Sequence, residues 1–163
     1  MSSISAHEVR GAGVSAVIPL LLLAEESESA LRWSLEHMAD AVYRVDLGAA
    51  LVGAVTMRWQ GAAAEILELG VAPAEQGRGL GRQIVAWLAD EARRRGKRQL
   101  IVGTGNSSLG NIAFYQKCGM RMDHVRPNYF GYYRSPIYEH GIQKRDLLVF
   151  RLDLAGAAAG PRV

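Results

Sequence analysis

The chain is poor in several things that would narrow its role at once. It has a single cysteine, Cys118, in 163 residues. An internal disulfide is therefore excluded, and a reducing compartment fits best. It has no long hydrophobic run. The apolar stretch "AVIPLLLLA" at 16–24 is too short to span a bilayer. His7 and Glu8 precede it, Pro19 interrupts it, and no small-x-small cleavage site comes before Glu25 and Glu26. It reads as a buried first helix, and the protein is expected to be cytoplasmic and without a membrane partner. Its charge has no strong bias. A formal net charge of +3 suits an anionic small ligand but is too weak to argue for nucleic acid. The basic run Arg93, Arg94, Arg95, Lys97 and Arg98 ends a helical pattern, where cations suit the dipole, and lacks the interleaved aromatics of a single-strand binder. His7, His37, His124 and His140 are scattered without metal-ligand spacing, so no metal is expected. No internal repeat or linker is visible.

Hydrophobic residues make up 49% and charged residues 21%, the composition of an ordinary globular domain. We expect one domain over 1–155 and a low-complexity, flexible tail at 156–163. Strand-like patterns lie at 4–9, 41–45, 51–59, 65–72, 99–103, 120–125 and 146–154. Residues 17–37 read as two helical pieces broken near Glu25, with Ser27 as N-cap of the second. At 79–95, Leu80, Ile84, Leu88 and Ala92 recur at four-residue spacing and Gly96 sits where a left-handed cap belongs. A further helix is expected at 109–117. The pattern predicts an α/β fold: a mixed, mostly antiparallel sheet of about six to seven strands, parallel pairing of the central strands around the two crossover helices, and helices on both faces.

Between the strand ending at Ala72 and the helix beginning near Gly79 lies "EQGRGLG". Free N–H groups and the positive dipole end of a helix favour a phosphate there, and glycines let the backbone come close. The loop is not a Walker loop, because Arg82 and Gln83 follow Gly81 where Lys and Ser/Thr would stand. It also breaks the dinucleotide pattern, since Arg82 holds the third glycine position. "GAGVSA" at 11–16 matches that pattern by chance, with no buried parallel strand before it. What remains is Gln-x-x-Gly-x-Gly, supplied by Gln76, Gly79 and Gly81.

"LGVAPAEQGRGLGRQIVAWLADEARRRG", then a strand, then "FYQKCGM", resembles the GNAT N-acetyltransferase family over residues 51–153. With "VGTGNSS" and "EHGIQKRDL" it is similar to a bacterial subgroup labelled by homology as indole-acetic-acid-type acetyltransferases. The resemblance implies the GNAT acyl-CoA N-acyltransferase fold and acetyl-CoA as cosubstrate. The activity implied is direct transfer of acetyl to a primary amine of a small molecule or peptide. A non-catalytic acyl-CoA-binding module on the same fold is the alternative, and a nucleotide-binding protein using the same loop is a third reading.

Residue by residue, the resemblance assigns Gln76, Gly77, Arg78, Gly79, Leu80, Gly81 and Arg82 to the pyrophosphate. It assigns Leu69, Gly70 and Val71 to the pantetheine arm, at a bulge that a glycine within a strand also suggests. Tyr115 matches the tyrosine near the thioester sulfur. Its phenol, with a reference pKa near ~10, is protonated at neutral pH and able to serve the departing thiolate. Attack requires a neutral amine, and lysine-like amines are mostly protonated at pH 7, so a base is expected. Glu65 ranks first and Glu68 second; by strict period two they face opposite sides of the sheet unless the bulge alters that. Asn106 either binds the cofactor or caps a turn with Ser107 and Ser108. Cys118 reads as a half-buried structural thiol. The aromatic segment 126–146, with Tyr129, Phe130, Tyr132, Tyr133 and Tyr138, walls the acceptor site or covers the sheet end or a partner in a possible homodimer.

Overall fold

The computed structural model describes residues 3–154; the expected tail at 156–163 lies outside the described residues. The amino-terminal strand β1 (Ile4–Val9) pairs antiparallel with β2 (Ala41–Leu47), which turns back at Gly48 into β3 (Ala50–Arg58). β4 (Ala64–Val71) pairs antiparallel with β3. A single 3-10 turn at Pro73–Glu75 leads to α3 (Leu80–Arg94), and β5 (Gln99–Gly105) then lies parallel to β4. α4 (Leu109–Lys117), edge strand β6 (Arg121–Arg126) and β9 (Leu147–Asp153) complete the main sheet, with order β1-β2-β3-β4-β5-β9-β6. A separate two-stranded ribbon, β7 (Tyr138–Glu139) and β8 (Ile142–Gln143), stands between β6 and β9 in the chain.

The two faces are covered by different helices. The α3 stripe of Leu80, Ile84, Leu88 and Ala92 is buried against Val55, Met57, Ile66, Leu100 and Val102. Each such leucine or isoleucine contributes about 1.5–3 kcal/mol by leaving water. On the other face, α1 (Ala12–Leu21) and α2 (Glu28–His37) bury Val17, Leu21 and Leu31 against Val42 and Ala54. Ser27 caps α2 as expected, accepting the Ala30 N–H at 3.2 Å. α1 starts earlier than its apolar run suggests and passes through Pro19. The proline removes one helical N–H bond, while buried Val17 and Leu21 on either side hold the helix on the sheet.

The parallel pairing is narrower than the sequence order implies. Only β4 and β5 pair in parallel, because β9 inserts between β5 and β6. Burial explains the insertion. β9 carries buried Leu147, Val149 and Phe150, whereas every β6 residue but Arg126 is exposed. An apolar strand takes the inside position and a polar one the edge.

β4 and β5 are in register only at Ala64, Glu65 and Ile66. Beyond that the register of β4 against β3 slips: Thr56 faces Glu68 and Met57 faces Ile66, leaving Leu67 as the extra residue of a bulge. The two parallel strands part there, and the cleft described next opens between them.

Candidate active site

The phosphate loop is shaped by its glycines. Gly77 and Gly79 have φ of 77° and 80°, the left-handed region that a side chain disfavours. Among the described residues, the backbone N–H groups of Gly77, Arg78, Gly79, Leu80, Gly81 and Arg82 donate to no protein acceptor. α3 has no acidic residue in its first turn to damp the positive end of its dipole. The result is a row of free donors suited to a pyrophosphate. Gln76 braces the loop, its Nε2 donating to the Val71 carbonyl at 2.9 Å. Arg82 ties it to the end of α4 through the Lys117 carbonyl at 2.6 Å. Arg78 is mostly exposed, pairs with Glu75 and does not line the cleft.

That loop forms one end of a cleft of about 1290 Å³, which runs along β4 to the α1–α2 turn and the segment 129–132. Ala72 donates its N–H to the Val52 carbonyl. By the alternation of an antiparallel ladder, Leu69 and Val71 therefore turn their peptide groups away from β3 into the gap beside β5. An extended chain lying there finds a strand edge to pair with. Gly70 is glycine for a different reason: a Cβ on it would overlap the Leu20 carbonyl oxygen, because α1 crosses the sheet at that point.

The bulge at Leu67 brings Glu65 and Glu68 to the same face, where both are buried and both line the cleft. Strict alternation, which places them on opposite faces, fails here by one residue. Their surroundings differ. Glu65 is paired with Arg58 and lies 3.9 Å from Arg126. Among the described residues Glu68 has no cationic partner; the Thr56 hydroxyl accepts its N–H at 3.0 Å and donates to its carboxylate. Burial pushes the Glu68 carboxyl above the usual range, opposed by hydrogen bonds from Thr56 and Ser34 and assisted by the charges of Glu25 and Glu65.

Tyr115 lines the cleft from α4, packed between the Phe114 and Phe150 rings at 5.0 and 6.0 Å. Burial raises its phenol well above the ordinary tyrosine value, so it stays protonated across the neutral range. Cys118, one turn on, also borders the cleft; burial raises its thiol, with Arg82 acting the other way. Asn106 does not line the cleft. Its carboxamide accepts the N–H groups of Arg145 and Asp146 and donates to the Gln143 carbonyl, pinning the segment after β8 to the end of β5.

The far wall contains residues the sequence did not single out. The Glu25 carboxylate accepts the Ser27 N–H at 2.9 Å and the hydroxyls of Tyr132 and Tyr133 at 2.9 and 2.6 Å. It thereby clasps the α1–α2 turn to the aromatic segment. Lys144 is buried, with its ammonium 3.9 Å from Glu26 and 4.6 Å above the Phe130 ring. Its stem covers Gly105. Glu139 accepts from Ser107 and Ser108 at 2.9 and 3.0 Å. The length and aromatic content of 126–146 pointed to this wall; nothing local pointed to Glu25, whose two tyrosine partners lie more than a hundred residues away.

Among the described residues, no group of three or more His, Cys, Asp or Glu is arranged to hold a metal ion. No helix among them is long and apolar enough to cross a membrane.

Known proteins share this fold. Residues 19–120 match the profile of the acetyltransferase (GNAT) family. An uncharacterised N-acetyltransferase of Bacillus subtilis strain 168, YvbK, is 34% identical over 137 residues, covering 83% of this chain and 87% of its own. A GNAT family acetyltransferase from Elizabethkingia anophelis, crystallised with acetyl-CoA bound, superimposes with a TM-score of 0.84 at 30% identity over 94% of this chain and 100% of its own. An IAA acetyltransferase from Bacillus cereus superimposes with a TM-score of 0.80 at 30% identity, over 93% and 100% of the two chains.

Proposed function

The chain belongs to the GNAT acetyltransferase family, and from that premise we propose that it moves an acetyl group from acetyl-CoA directly onto a primary amine. The observation that carries this reading is that free loop N–H groups, an open strand edge, a cation-free carboxylate and a protonated phenol all border one cleft.

In this reading the pyrophosphate of acetyl-CoA rests on the N–H groups of residues 77–82, with Gln76 and Arg82 bracing the loop rather than supplying the main contacts. The pantetheine arm pairs with the peptide groups of Leu69 and the N–H of Val71, whose carbonyl is taken by Gln76. A backbone N–H of this edge polarises the thioester carbonyl. Gly70 keeps α1 close behind that edge. Arg78 and Asn106 are left out of the cofactor site, the first because it points to solvent and the second because it does not line the cleft and its carboxamide is engaged by residues 143–146.

The base is Glu68 in preference to Glu65. Glu65 is already engaged by Arg58 and lies near Arg126, whereas Glu68 is buried, is held by hydroxyls and gains by taking a proton. Glu68 accepts a proton from the bound ammonium. The neutral nitrogen attacks the thioester carbon, the carbon–sulfur bond breaks, and the electron pair goes to sulfur. The Tyr115 hydroxyl donates a hydrogen bond to that sulfur and supplies the proton that restores the thiol, and the second proton, which the nitrogen sheds on becoming an amide, returns to the Tyr115 phenolate. Because burial strengthens the phenol's hold on its proton, transfer follows only as charge develops on sulfur.

The test has two arms. Thermal stabilisation by acetyl-CoA, ATP and NAD separates an acyl-CoA site from a nucleotide site; stabilisation by NAD or ATP alone refutes the proposal. Thiol release from acetyl-CoA across a panel of primary amines separates an enzyme from a binding module. Tight acetyl-CoA binding with no release for any amine favours the module.

A further inference from the structure

Resting on the transfer reading above, we propose that the acceptor is an amphipathic organic cation, an amine on an aromatic or apolar body, and that the site rejects amines bearing a carboxylate beside the nitrogen. The acceptor half of the cleft is lined by Glu25, Glu26, Glu68 and Glu139. Among the described residues, the one cationic side chain lining this half is Lys144. Lys144 has no charge to spare. Its ammonium is held between Glu26 at 3.9 Å and the rings of Phe130 and Tyr133 at 4.6 and 5.9 Å.

An entering ammonium finds the opposite situation. Burial raises the Tyr129 phenol, and the charges of Glu65, Glu68 and Glu25 act the same way, with Arg126 opposing them. A cation placed beside it is attracted by the same carboxylates. Tyr129, Phe130 and Tyr132 line the cleft, and aromatic rings attract cations. Trp33, more than half exposed on the stacked pair it forms with His37, extends this apolar wall at the rim. The wall accommodates the body of the ligand while the carboxylates hold its nitrogen. A carboxylate on the same carbon as the amine would be carried into a lining of its own sign.

A matched pair of probes tests this: phenethylamine and phenylalanine share one body and differ by the carboxylate. Calorimetry on protein saturated with CoA, which cannot react, is expected to show phenethylamine binding at least about tenfold tighter. Equal affinities, tighter phenylalanine, or binding of neither overturns the proposal. Glu26→Gln, at a partly exposed position, frees Lys144 and is expected to narrow the preference by about threefold or more; Lys144→Gln is expected to widen it. A preference unmoved by both variants overturns its electrostatic origin. Thiol release with acetyl-CoA is read separately. Phenethylamine that binds while neither it nor any other amine of the panel releases thiol refutes the transfer reading and leaves the acceptor class standing.

Discussion

Thr56 closes a gap in the β3–β4 ladder with its side chain: its hydroxyl accepts the Glu68 N–H at 3.0 Å and donates to the Glu68 carboxylate. The bulge at Leu67 shifts the ladder, and one hydroxyl then satisfies the peptide and orients the acid. Glu68→Gln should lower kcat by about 10²-fold. Glu65→Gln should lower it far less and cost about 1 kcal/mol or less of stability, because it unpairs partly exposed Arg58. Steady-state kinetics on the two variants decide the order; a larger kcat loss for Glu65→Gln reverses it.

The same carboxyl sets a pH dependence. Its folded pKa is raised, so stability is fully present below the ordinary glutamate value near ~4.3 and falls as pH rises towards the folded value, where the native state ionises against burial. Glu68→Gln should therefore melt higher than wild type at neutral pH while being the poorer enzyme. In wild type, the acid limb of kcat/KM should lie above the ordinary carboxylate range. Denaturation midpoints and rate profiles from pH 4 to 9 check both.

Tyr115→Phe should reduce kcat by about 10–100-fold and leave acetyl-CoA affinity unchanged. Since burial raises the phenol, no basic limb of the wild-type profile below pH 10 should disappear in the variant. Unimpaired turnover of Tyr115→Phe at every pH would remove the residue from the mechanism.

Two glycines should fail for different reasons. Gly79→Ala forces a side chain into a left-handed turn and should cost about 1 kcal/mol while weakening acetyl-CoA binding. Gly70→Ala drives a methyl into the Leu20 carbonyl and should cost about 1–3 kcal/mol by displacing α1. Melting with and without acetyl-CoA separates them, since only Gly79→Ala should also shrink the ligand-induced shift.

Asn106→Ala should lower stability and increase hydrogen exchange at residues 143–146, with acetyl-CoA affinity intact. A large loss of affinity would restore Asn106 to the cofactor site.

What was legible in the sequence was local. The cradle could be read because strand, glycines and helix start lie within one short stretch, and the α3 stripe because its spacing matches a helical turn. Tyr115 and the shared role of 126–146 followed from resemblance and loop length. What was hidden depends on pairing across the chain. Strict alternation separated Glu65 from Glu68, and only the slip opposite Met57 reunites them. Glu65 looked like the better base because its partners, Arg58 and Arg126, come from two other strands. Asn106 looked like a ligand-binding residue because the backbone groups that occupy it belong to residues 143–146. The extent of the parallel pairing was hidden because chain order does not reveal that an apolar strand displaces a polar one from the interior.

The insertion of β9 between β5 and β6 also sets an order of assembly. The cradle end of the cleft draws on β4, α3 and α4, all made before residue 120. β5 has no partner on its far side, and β6 has none at all, until β9 has been synthesised. The aromatic segment is the tether between those two late strands. During synthesis the chain thus passes through a stage with the cofactor end in place, one raw sheet edge exposed and no acceptor wall. Loss of β9 should leave that half-built, edge-exposed form, prone to self-association, rather than a smaller working enzyme.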